Sequence, residues 1–364
     1  MLSNIDFNNY GYFPALRTRV AEIKGLFHLT DERKDKIIPL ITAGKWPRAD
    51  HLDNGIVKAK TAMNKRPFFL DLTEERNALS HLVQDLKNPE NGFSAWINYV
   101  KTHEMAIPVI QSNRHATKRD IIKQAQNCEK EFGKLAFRLT DFNLGVDDVV
   151  SAVSALDDTD NAMIFIDSKY IRSSYLANLS ATVAAINSIR TEIPSAFIST
   201  LATSFPTSPS SFAKEDNRGS IDIMERELHR ELGGYDTCAY GDYSSIHAVV
   251  YDDASPIMNW SARIDYPLYN EWDITKKPSA KSLADFREIA RSVLARHPEI
   301  ANSLIWGDQM IHSAATGGET AGASPASWIA VRVNLHLSRQ IDYTTQLLNP
   351  IEFEEDGDED ADFV

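Results

Sequence analysis

Four charged residues stand where charge is costly. Asp71 lies in Phe69-Leu70-Asp71-Leu72, Arg138 in Ala136-Phe137-Arg138-Leu139, Asp167 ends Ile164-Phe165-Ile166-Asp167, and Asp242 follows Ala239-Tyr240-Gly241. A charge set in an apolar run must pair with an opposite charge or face a polar cavity, because burying it alone is expensive. Polar residues near the ends of these and similar runs add Arg17, Arg19, Thr42, Gln111, Asn113, Lys169, Thr200 and Tyr243.

Two arrangements suit this set. In the first, Arg17, Asp71, Arg138 and Asp167 form an internal ion-pair network. In the second, Arg17, Arg19, Arg138, Lys169 and Tyr243 line a ligand pocket, since guanidinium forks match phosphate or carboxylate. There Asp71, Asp167 and Asp242 are the candidate catalytic groups, as base or, for Asp167 and Asp242, as ligands of a hard cation such as Mg2+. No local ligand motif gathers them, so metal and cofactor stay unassigned, and the residue types leave open whether the site binds or catalyses.

Other chemistry loses its usual support. The 10 histidines are dispersed with no H-x-H or H-E-x-x-H, and there is no G-x-S-x-G, Walker-type loop or G-x-G-x-x-G. His247, just past Tyr243, reads as a solvent-facing loop histidine, with an acid/base role at the rim as the alternative. Cys128 and Cys238 form no C-x-x-C pair, which argues against a thiolate zinc site or disulfide framework and fits a reducing cytoplasm.

The elements that must position these residues follow from hydropathy. Eight short apolar runs (12–16, 36–41, 67–72, 105–110, 135–139, 162–167, 195–200 and 237–242) alternate with segments of helical spacing. Continuous apolar runs suit parallel strands covered on both faces. The cadence predicts an α/β fold, a (β/α)8 TIM-like barrel with C-terminal helical additions, with a doubly wound open parallel sheet as the alternative. Active sites of such barrels form at strand C-terminal ends, which is where the charged set falls. Pro39 and Pro108 mark a bulge, bend or strand end. Helices are expected over 20–29, 118–132 (with Thr117 as cap and Gly133 as stop), 173–189, 221–232, 282–297, 300–315 and 325–343. The last carries Trp328, Arg332, His336 and Arg339 or Gln340 at helical spacing, a face suited to tethering neighbouring loops. Trp260 to Ile274 reads as an aromatic insertion or hairpin, with Trp260, Tyr266, Tyr269 and Trp272 exposed for a partner. The organisation expected is an N-terminal lead over 1–11, barrel strands and helices over 12–250, the aromatic insertion plus closing helices over 251–350, and a disordered acidic tail over 351–364.

Charge and hydropathy narrow the partners. Of the net charge of -13, eight negative charges fall between Glu352 and Asp362, where no base stands. An acidic chain argues against general nucleic-acid binding. No window approaches the roughly 18 apolar residues of a membrane span, and no signal peptide is visible, so a cytoplasmic protein is expected.

The ordered motifs Tyr12-Phe13-Pro14-Ala15-Leu16-Arg17-Thr18-Arg19 with Glu22, Ile38-Pro39-Leu40-Ile41, Phe69-Leu70-Asp71, Ile107-Pro108-Val109-Ile110, Phe165-Ile166-Asp167, Tyr240-Gly241-Asp242-Tyr243 and the Trp328–His336 helix resemble the Beta protein family. That family is named after a satellite-phage product and is found in phages, prophages and bacteria. The resemblance runs from about Tyr12 to Tyr343 and excludes the acidic tail. It implies a protein of phage or mobile-element conflict, in anti-phage defence or control of a partner toxin. Such a protein would act on a partner encoded by the same element, or on a ligand at the polar site. The alternative is an enzyme of a phosphorylated small molecule or nucleotide. The resemblance brings no catalytic residues to carry over.

Overall fold

The computed structural model describes residues 2–75, 79–142, 145–214, 216–248 and 260–348. The acidic stretch 352–362, and with it the expected tail, lies outside the described residues.

Apolar runs become parallel strands. β1 (Ala15–Arg17), β2 (Leu40–Ala43), β3 (Phe68–Leu72) and β4 (Ala106–Pro108) form one sheet in consecutive order. β5 (Leu135–Leu139), β6 (Ala162–Tyr170) and β7 (Phe197–Thr203) form a second, also parallel. The fold is therefore mixed α/β with parallel sheets, and an open parallel arrangement accommodates it. Single parallel bridges join neighbouring pieces: Val109 to Ala136, Ser199 to Ala239, and Tyr12 to Tyr240. The run expected as an eighth strand, 237–242, is held by such single bridges rather than by a named strand. Its backbone is nonetheless pinned, for Phe13 N–H donates to the Tyr240 carbonyl at 3.0 Å and Ala15 N–H to that of Asp242 at 2.7 Å. Gly241 is a glycine by necessity. A Cβ there would meet the Thr200 carbonyl oxygen at 2.5 Å and that of Phe13 at 2.8 Å.

Both prolines mark strand ends. Pro39 immediately precedes β2 and Pro108 closes β4, so neither removes a donor from mid-ladder.

One apolar cluster draws on every parallel strand. Phe13, Ala15, Leu40, Phe69, Ile107, Ala136, Met163, Phe165, Leu201 and Ala239 are buried together. Phe69 of one sheet meets Phe165 of the other edge to face, with ring centroids 5.1 Å apart. The opposite strand faces pack under helices. The helix Lys118–Phe132 starts in a capping box between Thr117 and Asp120 and stops at left-handed Gly133, as its sequence signals require.

A second layer departs from expectation at several places, among them the helix expected over 300–315, which begins only at Trp306 after a 3-10 turn at Pro298–Asn302. Residues 221–232 read as one helix, but β8 (Arg218–Asp222) ends at Asp222 and the helix is Met224–Glu231. The strand forms because β10 (Glu271–Lys277) pairs with it antiparallel, setting Ile221 opposite the fully buried Trp272. β9 (Ala262–Pro267) pairs with the other edge of β10, which gives the expected hairpin. The aromatic exposure expected of this insertion is corrected: Tyr266 and Trp272 are both 0% exposed, drawn into the core between hairpin and helices, and Tyr269 is 57% exposed.

Three helices follow, Leu283–Arg296, Trp306–Thr316 and Pro325–Leu348. The long last one crosses Val20–Phe27 at Gly25, where a Cβ would sit 2.7 Å from Val333, and Asn334 donates to the Gly25 carbonyl at 3.1 Å. No helix of the described residues is long and apolar enough to cross a membrane.

Candidate functional site

The parallel strands carry their polar residues to one end. Register places Arg17 beside Thr42 and Thr42 beside Asp71, while β5 and β6 run side by side and present Arg138 and Asp167. Arg138 is the centre. Its Nε donates to Asp167 at 2.9 Å, one Nη to Asp71 at 2.9 Å and to Thr42 at 3.2 Å, and the other Nη to the Tyr243 hydroxyl at 3.0 Å. That second Nη also lies 2.9 Å from Asp167. A guanidinium has five N–H donors, and four hydrogen bonds and the ion pair with Asp167 occupy all three of its nitrogens here. Burial opposes the charge on Arg138, but Tyr243, Asp167 and Asp71 outweigh it and hold the group well above its ordinary range.

The partners are fixed in turn. Tyr243 donates its hydroxyl to Asp167 at 2.6 Å, and burial together with that carboxylate raises its pKa. Asp71 accepts from Gln111 Nε2 at 3.0 Å and from Leu72 N–H at 2.8 Å. Asp167 accepts from Lys169 N–H at 2.9 Å across a β-bulge in which Lys169 takes φ of 54°. A non-glycine residue in that region is strained, and such strain clusters at functional sites.

Above this floor opens a recess of about 190 Å3 at the C-terminal strand ends of both sheets, lined among others by Arg17, Thr42, Asp71, Gln111, Arg138, Lys169 and Tyr243. Arg17 donates one Nη to the carbonyls of His247 (3.0 Å) and Ala248 (3.1 Å) and keeps the other without a partner among the described residues. The exposed Lys169 ammonium makes no ion pair among them either. Glu22 receives Arg17 N–H at 2.7 Å, and its burial raises the carboxyl against the pull of Arg17 and Arg19.

Not every candidate reaches the recess. Arg19 pairs with Glu75 at 2.5 Å to one side. Asp242 is sealed in a separate buried cluster, where it accepts from Tyr12 at 2.5 Å, His336 at 2.7 Å and Ser244 N–H at 2.8 Å. Burial would raise that carboxyl, yet His336, Tyr12 and Ser244 together hold it below the ordinary range. Asp167 and Asp242 thus serve different clusters, and among the described residues no group of three His, Cys, Asp or Glu is spaced to hold a metal. Asn113 and Thr200 stay outside the recess, Asn113 donating to the Lys87 carbonyl at 2.5 Å.

His247 is corrected. It is buried at 9% exposure, bonds the Phe205 carbonyl at 2.8 Å through Nδ1, and packs edge to face on Tyr170. Desolvation lowers its pKa.

The long helix tethers its neighbours as its spacing implied. Trp328 donates to the Gly322 carbonyl, Arg332 pairs with Asp265, His336 with Asp242, Arg339 with the Tyr266 hydroxyl, and Gln340 accepts from Arg226. Polar residues that sequence reading missed at the recess include Glu22, Lys87 and Ser112, and also Thr73, Glu74 and Thr140. Glu22 carried a signal, an acid on the buried face of the first helix. The others lie on loops whose path no periodicity reveals.

Comparison with known proteins adds an independent line. The Beta protein family model matches residues 12–342. Protein beta of Enterobacteria phage P4 is 43% identical over 342 residues, covering 94% of this chain and 96% of that protein. The match takes in every strand named above and the long helix up to residue 342.

Proposed function

Because the chain belongs to the Beta protein family and has a phage-borne relative, we propose that it binds a small anionic ligand at the strand-end recess, in service of phage or mobile-element conflict. One observation carries the binding claim: a buried ion-pair network floors a recess whose rim holds an uncommitted Arg17 Nη and the strained, unpaired Lys169. Committed to both carboxylates, Arg138 acts as the brace for Asp71 and Asp167. Arg17 and Lys169 meet the anionic group, while Thr42, Gln111 and Asp71 meet its hydroxyls.

Size limits the ligand. About 190 Å3 falls below the about 300–1,000 Å3 of drug-sized sites, which favours a phosphorylated sugar or small carboxylate over a dinucleotide.

We read the strands as a closed (β/α)8 barrel with this recess at its mouth. The support is the chain of single bridges, the crowding at Gly241 and the shared apolar cluster. The conflict role, as anti-phage defence or as control of a partner toxin encoded by the same element, draws its support from family membership and the phage-borne relative. A cytoplasmic site of action goes with it. The enzymatic alternative rests on Asp71, the carboxylate of the three candidates that lines the recess.

The test is thermal denaturation of the full chain against a panel of sugar phosphates and small carboxylates, with Lys169→Met alongside. Ligand at 100-fold over Kd should stabilise the wild type by about 2.7 kcal/mol. The variant should lose that gain while keeping the unliganded midpoint. No stabilisation by any compound, or equal stabilisation of the variant, contradicts the reading.

A further inference from the structure

A second cavity, of about 350 Å3, lies in the layer formed by the β9–β10 hairpin and the last helices, away from the strand-end recess. Its wall is aromatic. Trp260 stacks on Phe286 with centroids 6.4 Å apart and planes at 24°, and Phe286 stacks on Trp328 at 5.3 Å and 11°.

The floor is cationic. Arg263 donates Nε to Asp265 at 2.6 Å and one Nη to the Ser210 hydroxyl at 2.9 Å, and Lys276 donates to the Ser210 carbonyl at 2.7 Å. Arg332 backs the same Asp265. Two cations thus share one carboxylate and Lys276 stands beside them on the Ser210 carbonyl, a surplus of positive charge that repels a cationic ligand and attracts an anion. The remaining Nη of Arg263 and two of the three Lys276 donors have no partner among the described residues. Ser208 lines the same space, and the 24-residue helix Pro325–Leu348 begins at its edge with its N-terminal partial positive charge.

A partly exposed Trp260 ring, backed by Phe286 and Trp328, beside cationic donors selects a ligand with two parts. We propose that this cavity binds a small anion carrying a planar ring, of the mononucleotide class, with the ring against the Trp260–Phe286–Trp328 wall and the anionic group on Arg263 and Lys276. The volume falls in the range of sites that enclose ligands of that size. Stacking on aromatic side chains tolerates any base, so the site discriminates nucleotide from sugar phosphate more than one base from another.

Tryptophan fluorescence titration of the full chain with AMP, GMP, CMP and UMP reads this directly, with ribose 5-phosphate and inorganic phosphate as controls. Saturable quenching by the mononucleotides is expected. Their affinity should fall at least about tenfold in Lys276→Met, which removes one charge-assisted contact, and by a similar factor in Trp260→Ala, which removes the stacking face. Lys169→Met should leave it unchanged, which separates this site from the strand-end recess. Both Lys276 and Trp260 are partly exposed, so the variants should keep the wild-type thermal midpoint. Absence of saturable binding overturns the proposal. Loss of binding in Lys169→Met but not in Lys276→Met also overturns it, by moving the nucleotide to the recess. In Lys169→Met, where the recess no longer takes a sugar phosphate, inorganic phosphate or ribose 5-phosphate binding as tightly as the mononucleotides overturns the ring's part in recognition.

Discussion

Arg138 decides the character of the strand-end site because one guanidinium is shared by two buried carboxylates. Removing it leaves Asp71 and Asp167 facing each other without compensation. Arg138→Met should cost about 3–5 kcal/mol, the range for breaking a buried pair, measured by urea denaturation. Tyr243→Phe removes the hydroxyl that accepts from Arg138 and donates to Asp167, and should cost only about 1–3 kcal/mol. A second residue-scale expectation concerns acid. Burial opposes the charge on Asp265, but Arg263 and Arg332 outweigh it and lower its pKa below the ordinary 3.8. A depressed carboxylate stabilises the fold above its unfolded pKa and loses that contribution as pH falls through its folded value. Stability should therefore decline as pH drops past about 4, and Asp265→Asn, already weakened near neutral pH, should show a flatter acid limb. Equal acid limbs in the two proteins would remove Asp265 from the acid response.

Elements follow local signals where partners are close and depart from them where partners are distant. Thr117 and Gly133 bounded their helix in the sequence because capping is local chemistry, and Thr117→Ala should cost about 1 kcal/mol by thermal or urea denaturation. Residues 218–222 belong to a strand because β10, about fifty residues on, supplies its ladder, and no spacing within 221–232 shows that. Aromatic exposure of the hairpin failed for the same reason: the core that buries Trp272 is built from Phe205, Ile221 and Ile223, remote in sequence. The charged floor was legible, since Asp71, Arg138 and Asp167 sit in apolar runs. What was not legible is which of two opposite-charge partners each would take, and this is why Asp242 appeared beside Asp167 yet folds against His336. Gly241→Ala tests the packing of 237–242 between its neighbours. Two backbone oxygens stand within 2.8 Å of the added Cβ, so a loss of about 3 kcal/mol is expected in the same denaturation assay.

At the scale of the molecule, the parallel strands and the hairpin-helix layer meet through the long helix Pro325–Leu348, which joins Asp242 on one side to Asp265 on the other. The two cavities fall on either side of this division, one at the strand ends and one in the added layer. Each has its own cations, so Lys169→Met and Lys276→Met should each affect one cavity and leave the other intact. The claim on which the functional reading rests is that the strand-end recess takes a small anion. The measurement that tests it most directly is the thermal midpoint of the wild type and of Lys169→Met, each with and without sugar phosphates and small carboxylates. A ligand-dependent rise in the wild type that Lys169→Met loses, from an unchanged unliganded midpoint, is the expected result. An absent rise, or one the variant retains in full, would contradict it and leave the Arg138 network as a brace for the fold.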